Sequence, residues 1–247
     1  MKVTVPKTAT TLKALLRADL TTQWRNRKAL FMVVLVPVII LISWKGLIAQ
    51  IGGPFVLSTC ITLGLISNGL MGYSNSVARD REKGVFQRLR VAPLPTWCIM
   101  GSRLIIQLMI IVALTIIIFI AGKQFDGIEL SPMSYSLALV CAIAGGSVYL
   151  GLGQAIVGRI KNPETVNSTV RLVYFLFIMI GMFGDLGMLG DQLKEVVHYS
   201  PYGAVKTIVS MSMEPEKWTS DTTLLLALTF GYSAVFCTLG IRWFKWK

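Results

Sequence analysis

Residues 29–77 read ALFMVVLVPVIILISWKGLIAQIGGPFVLSTCITLGLISNGLMGYSNSV and carry one charged side chain, Lys45. As a single helix this stretch would be more than twice as long as the hydrocarbon core of a bilayer, which is roughly 30 Å thick. The chain must therefore fold back, and the cluster Gln50-Ile51-Gly52-Gly53-Pro54 supplies the helix breakers. The stretch predicts two membrane spans, with Lys45 reaching the nearer interface.

The remaining sequence repeats this alternation of apolar runs and charged connections. Hydrophobic residues make up 54% of the chain and charged residues 15%, against roughly 45–50% and about 25% in soluble domains. The pattern predicts an all-α integral membrane protein with six transmembrane helices. We expect the spans at about 29–49, 54–77, 96–122, 133–158, 165–184 and 222–244, preceded by a tail over 1–28 and followed by a short tail over 245–247.

The distribution of basic residues predicts the orientation. Of the 24 Lys and Arg residues, most fall in segments on one side of the predicted spans. Because Lys and Arg favour the cytoplasmic side, both termini are expected in the cytoplasm of a multi-pass protein of the inner (plasma) membrane. This topology accounts for the formal net charge of +12, so a nucleic-acid partner is not expected. The basic residues on the other side are Lys45, Lys123, Lys194, Lys206 and Lys217.

The segment before the first span has the pattern of an amphipathic helix. Apolar residues recur at helical spacing between Thr10 and Lys28, and the basic residues lie mostly on other faces. Such a helix is expected to lie in the cytoplasmic interface. It could be a simple topological anchor or a mechanical element that also contacts a cytoplasmic partner. Its apolar residues are Leu12, Leu15, Leu16, Leu20 and Trp24.

The charged loop of residues 78–95 is the most informative connection. It is longer than a connection between two spans requires, and it places Val85, Phe86 and Leu89 on one face of a short helical piece. Apolar residues on a charged cytoplasmic loop indicate a protein partner. The alternative is a solvated loop that only sets the topology.

The run DREKGVFQRLRVAPL, residues 80–94, resembles the signature of ABC type 2 exporter permeases. Asn162-Pro163-Glu164 before span five and Tyr199-Ser200-Pro201-Tyr202 in the last long connection fit the same family in order and spacing. Asp80 and Val85 are mild departures, since Glu and Thr are commoner there. The resemblance implies a cytoplasmic coupling helix that docks on an ATPase. Its implied coupling residues are Asp80, Arg81, Glu82, Gly84, Val85, Phe86, Arg88 and Leu89.

The resemblance also implies a re-entrant outer segment between spans five and six that closes the exit. The apolar residues there permit such a segment, provided that protein surrounds its backbone. The alternative is a flexible outer loop. The stretch Phe183-Gly184-Asp185-Leu186-Gly187 lacks a proline that the family often has. The implied gate residues are Phe183, Leu186, Leu189 and Pro201.

Several polar residues fall inside the predicted spans. Asn68, Asn75 and Gln154 either hydrogen-bond between helices or contact a substrate along the pathway. Arg171 must face protein or water, and whether it pairs with Glu164 is left open. No catalytic residues and no metal ligands are expected, because the spans hold no paired acids, no Ser/His set and no metal-binding cluster.

The sequence contains no G-x-x-x-x-G-K-[ST] motif, so the chain is not expected to bind nucleotide or to be an enzyme. The resemblance implies a bacterial or archaeal exporter permease in which a separate ABC ATPase subunit binds ATP and Mg. It also implies a second permease chain, identical or related, and contact with membrane lipids. The apolar spans suit a lipophilic or amphipathic drug, antibiotic or lipid-linked compound. The alternatives are an ion-gradient-driven transporter or channel, which usually needs a midplane acid or His, and an intramembrane enzyme.

Thiol labelling tests the predicted orientation. In a background without Cys60, Cys98, Cys141 and Cys237, single cysteines at Gln124 and Glu216 should react with an impermeant thiol reagent on intact cells. Cysteines at Gln87 and Lys161 should react only after permeabilisation, since the basic segments are expected inside. Labelling at Gln87 from outside would reverse the orientation.

Overall fold

A computed structural model describes residues 8–25, 27–91 and 96–243, and this part is helical without a β-strand. The expected tail 245–247, the start of 1–28 and Pro93 of the signature lie outside the described residues. The helices are α1 Thr8–Arg25, α2 Arg27–Ser43, α3 Lys45–Ile51, α4 Gly53–Ile66, a π-helix π1 Ser67–Ser74, α5 Asn75–Glu82, α6 Val85–Val91, α7 Thr96–Asp126, α8 Pro132–Arg159, α9 Pro163–Leu176, a π-helix π2 Phe177–Met182, α10 Phe183–Asp185, α11 Asp191–Tyr199, α12 Pro201–Met213, a 3-10 turn Pro215–Lys217 and α13 Ser220–Trp243.

Five helices in the described part are long and apolar enough to cross a membrane. This confirms an all-helical chain with several candidate spans, whereas the count of six stays a prediction. The five are Gly53–Glu82, Gly101–Asp126, Pro132–Arg159, Pro163–Asp185 and Ser220–Trp243.

The first expected span differs from one continuous helix over 29–49. The chain turns at Trp44, between α2 and α3, and α2, with 17 residues, is shorter than the five candidates. Lys45 follows the turn and is exposed, in keeping with the tendency of a charged side chain to leave apolar surroundings. Within the predicted breaker cluster Gln50-Ile51-Gly52-Gly53-Pro54, α3 ends at Ile51 and α4 begins at Gly53.

Local sequence chemistry sets the start of three helices. Ser131, Asn162 and Ser200 each precede a proline, and each side-chain oxygen accepts hydrogen bonds from backbone N–H groups of the following turn. Such caps satisfy otherwise unpaired donors, and proline is favoured at the first helical position. The two family-like motifs at Asn162-Pro163 and Ser200-Pro201 are therefore helix starts.

The centre of the fold is a close contact between π1 and α8. A Cβ atom added to Gly153 would lie 2.4 Å from the carbonyl oxygen of Gly69, and one added to Gly69 would lie 2.6 Å from the backbone of Tyr149. Only glycine permits this approach of two backbones. The contact holds the long helix Gly53–Glu82 against α8 along its middle.

Helix α12 is buried by its neighbours. Ten of its thirteen residues are buried, and it packs against α4, α8, α11 and α13. Gly145 of α8 leaves room for Val205, since a Cβ at Gly145 would lie 2.4 Å from Val205 Cγ1. The segment between the last two long helices is therefore part of the packed core.

Replacing Gly69 with alanine tests the central contact. The added methyl group meets backbone that cannot move aside, so Gly69→Ala should destabilise the purified protein by about 1–3 kcal/mol. Gly231→Ala is the matched control, because Gly231 also lies in a helix and has nothing within 4 Å of the added Cβ. Thermal unfolding in detergent measures both, and equal stability of the two variants would contradict a tight π1–α8 contact.

Candidate functional site

The loop that carries the family-like signature is tied to α7 by an ion pair. Asp80, in the last turn of α5, lies 2.5 Å from a guanidinium nitrogen of Arg103, and both side chains are largely shielded from solvent. The Arg103 guanidinium carbon lies 4.7 Å from the centroid of the Phe86 ring. A cation over an aromatic face is attracted by the ring quadrupole. Asp80, Phe86 and Arg103 thus join α5, α6 and α7.

Arg81 ties the same loop to a different helix. Its guanidinium donates to the carbonyl oxygens of Val157 at 2.7 Å and Ile160 at 3.0 Å. These carbonyls end α8, where helix backbones have unpaired acceptors and a partial negative charge. Neighbouring residues of the signature therefore attach the loop to two long helices. We call Asp80, Arg81, Phe86 and Arg103 the junction.

The first helix also reaches the junction. Asp19 of α1 accepts a hydrogen bond from Ser102 at 2.6 Å, one residue before Arg103. Burial raises the pKa of Asp19, and the hydrogen bond from Ser102 opposes that shift. A cavity of about 210 Å³ lies between α1, α5 and α7 and is lined partly by Asp19, Asp80 and Val85. Sequence reasoning missed Asp19, because one acid in a basic helix has no local signal.

The turn into α6 depends on Gly84. Its backbone has φ +66°, a conformation that other residues rarely adopt. Arg88 donates to the carbonyl oxygen of Lys83 across this turn at 2.8 Å. The glycine of the signature therefore sets the angle between α5 and α6.

The position of Phe86 corrects one expectation. We expected an exposed apolar residue, but the side chain is 2% exposed and lies beneath Arg103. In this conformation it packs inside the chain and cannot enter a groove on a partner. Val85 is half-buried, and the side chain of Leu89 lies outside the described residues. Among the side chains of the loop that the structure describes, the exposed ones are polar and include Glu82, Lys83, Gln87 and Arg88.

The apolar stripe of α1 is divided in the structure. Leu12, Leu15 and Leu16 are half-buried, whereas Leu20 is exposed and Trp24 is 74% exposed. The second half of the stripe therefore has no cover from the described residues. Its predicted place in a membrane interface stays a prediction.

A second cavity lies between α2, π1, α7 and α9. It encloses about 440 Å³, and both Asn68 and Asn75 line it. Gln154 does not, because it accepts a hydrogen bond from Tyr73 at 2.7 Å on the α8 side of π1. Gln107 of α7 lines the cavity and was missed, although a Gln within an apolar run is the same signal that identified Asn68. The wall residues are Gln23, Val33, Val36, Ser67, Asn68, Met71, Gly72, Asn75, Arg79, Gln107, Ile110, Tyr174 and Ile178.

The part of the long helix that lines this cavity includes the π-helix π1. A π-helical stretch shifts the positions that follow it around the helix, and such stretches are frequent at functional sites. Within π1, Gly69 and Tyr73 contact α8, whereas Asn68 lines the cavity. The long helix therefore presents one side to the core and the other to the cavity.

At the other end of the fold, a buried ion pair fixes α12. Lys206 Nζ lies 2.7 Å from Asp185 Oδ2, and both side chains are largely buried. The same nitrogen lies 3.4 Å from the centroid of the Phe55 ring. These contacts connect α10, α12 and α4. His198 and Asp221 form a more exposed pair at 2.8 Å between α11 and α13.

The expected gate residues are not gathered at one place. Phe183 and Leu186 are half-buried, whereas Leu189 is exposed just before α11. Pro201 begins α12, and its carbonyl oxygen accepts a hydrogen bond from Tyr149 at 3.1 Å. The residue that fills the contact with π2 is Tyr202, since a Cβ at Gly181 would lie 2.6 Å from its ring.

Comparison with known proteins defines the class. The sequence model of the ABC-2 type transporter family matches residues 10–213, a range that includes the junction and the cavity. The chain therefore belongs to the ABC-2 type transporter family, and the resemblance drawn from the signature is confirmed.

One relative, from Bacillus subtilis (strain 168), carries the name "Putative transport permease YvfS" and is 22% identical over 138 residues. That alignment covers 56% of this chain and 56% of the relative, so the chain spans about half the length of the relative it matches. Both comparisons agree on a membrane permease.

Removing one partner of the Asp80–Arg103 pair tests the junction. Asp80→Ala leaves a shielded guanidinium without its counter-charge and should lower the free energy of unfolding by about 1.5–3 kcal/mol. Glu129→Ala, at the exposed Lys123–Glu129 pair, is the control and should cost at most about 1 kcal/mol. In a double-mutant cycle, Asp80→Ala with Arg103→Ala should cost less than the sum of the single changes. If the cost of the double variant equals the sum of the two single costs, the Asp80–Arg103 pair contributes nothing to the free energy of unfolding.

Proposed function

We propose that this permease is the membrane-spanning subunit of an ATP-driven exporter, powered by a separate ABC ATPase that binds ATP and Mg. The proposed topology has six spans, counting α2 and α3 as the first, with both termini in the cytoplasm. The observation that carries the proposal is the attachment of one loop to two long helices, α7 and α8, at the junction.

The junction has the construction that a coupling element requires. A permease without its own phosphate-binding loop can be driven only through contact with a partner. That contact must reach a cytoplasmic segment that transmits force to the spans. Asp80 links the loop to α7, and Arg81 links it to the end of α8. A push on α6 would therefore move the cytoplasmic ends of two long helices together.

Phe86 was expected to enter a groove on the ATPase as an exposed anchor. We propose instead that it holds α6 in place within the permease. Its ring fills the space between α6 and Arg103, so it would hold α6 to the spans while a partner contacts the polar outer face. Glu82, Gln87 and Arg88 form that face. Charged rims of this kind commonly set orientation and association rate.

The transport pathway is proposed at an interface between two permease chains, identical or related. Six spans rarely enclose a passage for a bulky molecule, and α9 and α13 leave much of their apolar surface uncovered within the described residues. The cavity between α2, π1, α7 and α9 would open toward this interface. Its apolar walls suit a lipophilic or amphipathic drug, antibiotic or lipid-linked cargo.

The segment from α10 to α12 is proposed as the re-entrant outer gate. Protein surrounds α12 on several sides, which is the condition for short helices at membrane depth. The Lys206–Asp185 pair would hold the gate closed against α4. In the same scheme α1 lies in the cytoplasmic interface and contacts lipid through Leu20 and Trp24.

Glu82→Lys tests the docking of the ATPase. A reversed charge on the outer face of the loop should repel a complementary partner and weaken binding by about 1–2 kcal/mol, roughly a factor of 5–30 in affinity. Co-purification of the ATPase subunit with the tagged permease in mild detergent gives the readout, together with ATP-dependent transport.

Glu216→Lys makes the same charge change in the exposed 3-10 turn, which is proposed to lie outside, and it should leave co-purification unchanged. Wild-type binding and transport by Glu82→Lys would remove the main support for this loop as the coupling element.

A further inference from the structure

The cavity between α2, π1, α7 and α9 contains polar atoms without partners. Asn68 is 2% exposed and Gln107 is 3% exposed, and both line the cavity. Within the described residues, Asn68 Nδ2 and Gln107 Oε1 have no hydrogen-bond partner. Leaving a buried polar group unpaired costs about 1–3 kcal/mol. A ligand that reached these two buried atoms would satisfy one N–H donor and one carbonyl acceptor.

One arginine lines this cavity, and a second lies on a helix that contributes to its wall. Arg79 lines it directly, one turn after Asn75. Arg171 lies on α9 three residues before Tyr174, which lines the cavity, and residues at that spacing are neighbours on a helix surface. The helices that carry the two arginines, α5 and α9, pack against each other.

Neither arginine is neutralised within the chain. Both side chains are exposed, and no carboxylate in the described part lies within ion-pair distance of either of them. Asp80, the acid next to Arg79, is engaged by Arg103. Glu164 lies about two helical turns before Arg171 and does not pair with it in the described residues. The preference of basic residues for the cytoplasmic side explains Arg79 but not Arg171, which lies about two turns inside a candidate span.

The cavity also has an aliphatic lining. Val33 and Val36 of α2, Ile110 of α7 and Ile178 of π2 contribute to it. With about 440 Å³, the cavity falls in the range of small-molecule sites, roughly 300–1,000 Å³. Its wall thus combines a cation, two amide side chains and aliphatic side chains.

We infer that this cavity binds an amphipathic molecule with an anionic head group, a phosphate or a carboxylate. Arg79 and Arg171 hold the head group through charge-assisted hydrogen bonds, which arginine forms well with both anions. Asn68 and Gln107 pair with an amide or hydroxyl near the head, and the aliphatic wall takes the tail. That the molecule is exported rests on the proposed function, but the anion preference of the cavity does not.

Binding of dodecyl phosphate to the purified complex in neutral-lipid nanodiscs tests the inference. Dodecyl phosphate should bind, whereas dodecyltrimethylammonium, with the same tail and opposite charge, should bind at least about tenfold more weakly. Arg79→Gln with Arg171→Gln should weaken dodecyl phosphate binding at least about tenfold. Arg159→Gln, an exposed arginine at the end of α8, is the matched control and should bind normally. Equal binding of the two amphiphiles, or unchanged binding by the double variant, overturns the inference.

A second pair of probes tests the amide groups. N-lauroylglycine carries an amide and a carboxylate, and myristate has a carboxylate without the amide. The wild-type protein should prefer N-lauroylglycine. Asn68→Leu should remove that preference and should have the same thermal stability as the wild-type protein. A preference that persists in Asn68→Leu overturns the role of Asn68.

The anion could be exported cargo or a membrane lipid, and a transport assay distinguishes these two sources. In proteoliposomes, ATP-dependent movement of labelled dodecyl phosphate between leaflets identifies exported cargo. Binding without movement identifies a membrane lipid held at the site, and both results support an anion-selective cavity. Failure of the ATPase to co-purify, with anion selectivity intact, would overturn the proposed function and leave this inference standing.

Discussion

The close approach of Gly69 and Gly153 is the contact on which both ends of the fold depend. Inside a bilayer the hydrophobic effect does not drive two helices together, so association relies on packing and hydrogen bonds. A glycine on each helix lets the backbones touch, with Tyr149 adjoining on α8. The hydrogen bond from Tyr73 to Gln154 then fixes the same pair of helices further along.

From this contact the long helix Gly53–Glu82 extends to two different sites. Its π-helical part contributes Asn68 to the cavity wall, and its last turn places Asp80 and Arg81 at the junction. The same helix carries both, so the surface loop and the cavity wall lie about three turns apart along it.

The charged side chains at the two ends of the molecule have different surroundings. At the junction, Arg81 binds backbone carbonyls at the end of a helix, and Asp80 meets Arg103 beneath a polar surface. At the other end, Lys206 and Asp185 are buried among apolar residues and Phe55. Removing charges from water costs free energy that a close pair must offset, and losing one partner leaves an uncompensated charge. Such a pair favours one arrangement of α10, α12 and α4 over others.

By itself, the sequence determined the helical membrane class and the family, because apolar runs and the signature are local patterns. The Asn-Pro and Ser-Pro caps and Gly84 also act through neighbouring residues. The sequence predicted the first span as one helix, whereas the structure has a turn at Trp44 between α2 and α3. No local pattern predicts this turn, because it follows an unbroken apolar run. Only the tertiary structure decided that Phe86 is buried, that Asp80 meets Arg103, that Arg81 binds the end of α8 and that Gln154 pairs with Tyr73. Each of these contacts joins residues from different helices, 17 to 81 positions apart, and helix packing rather than any local pattern selects such partners.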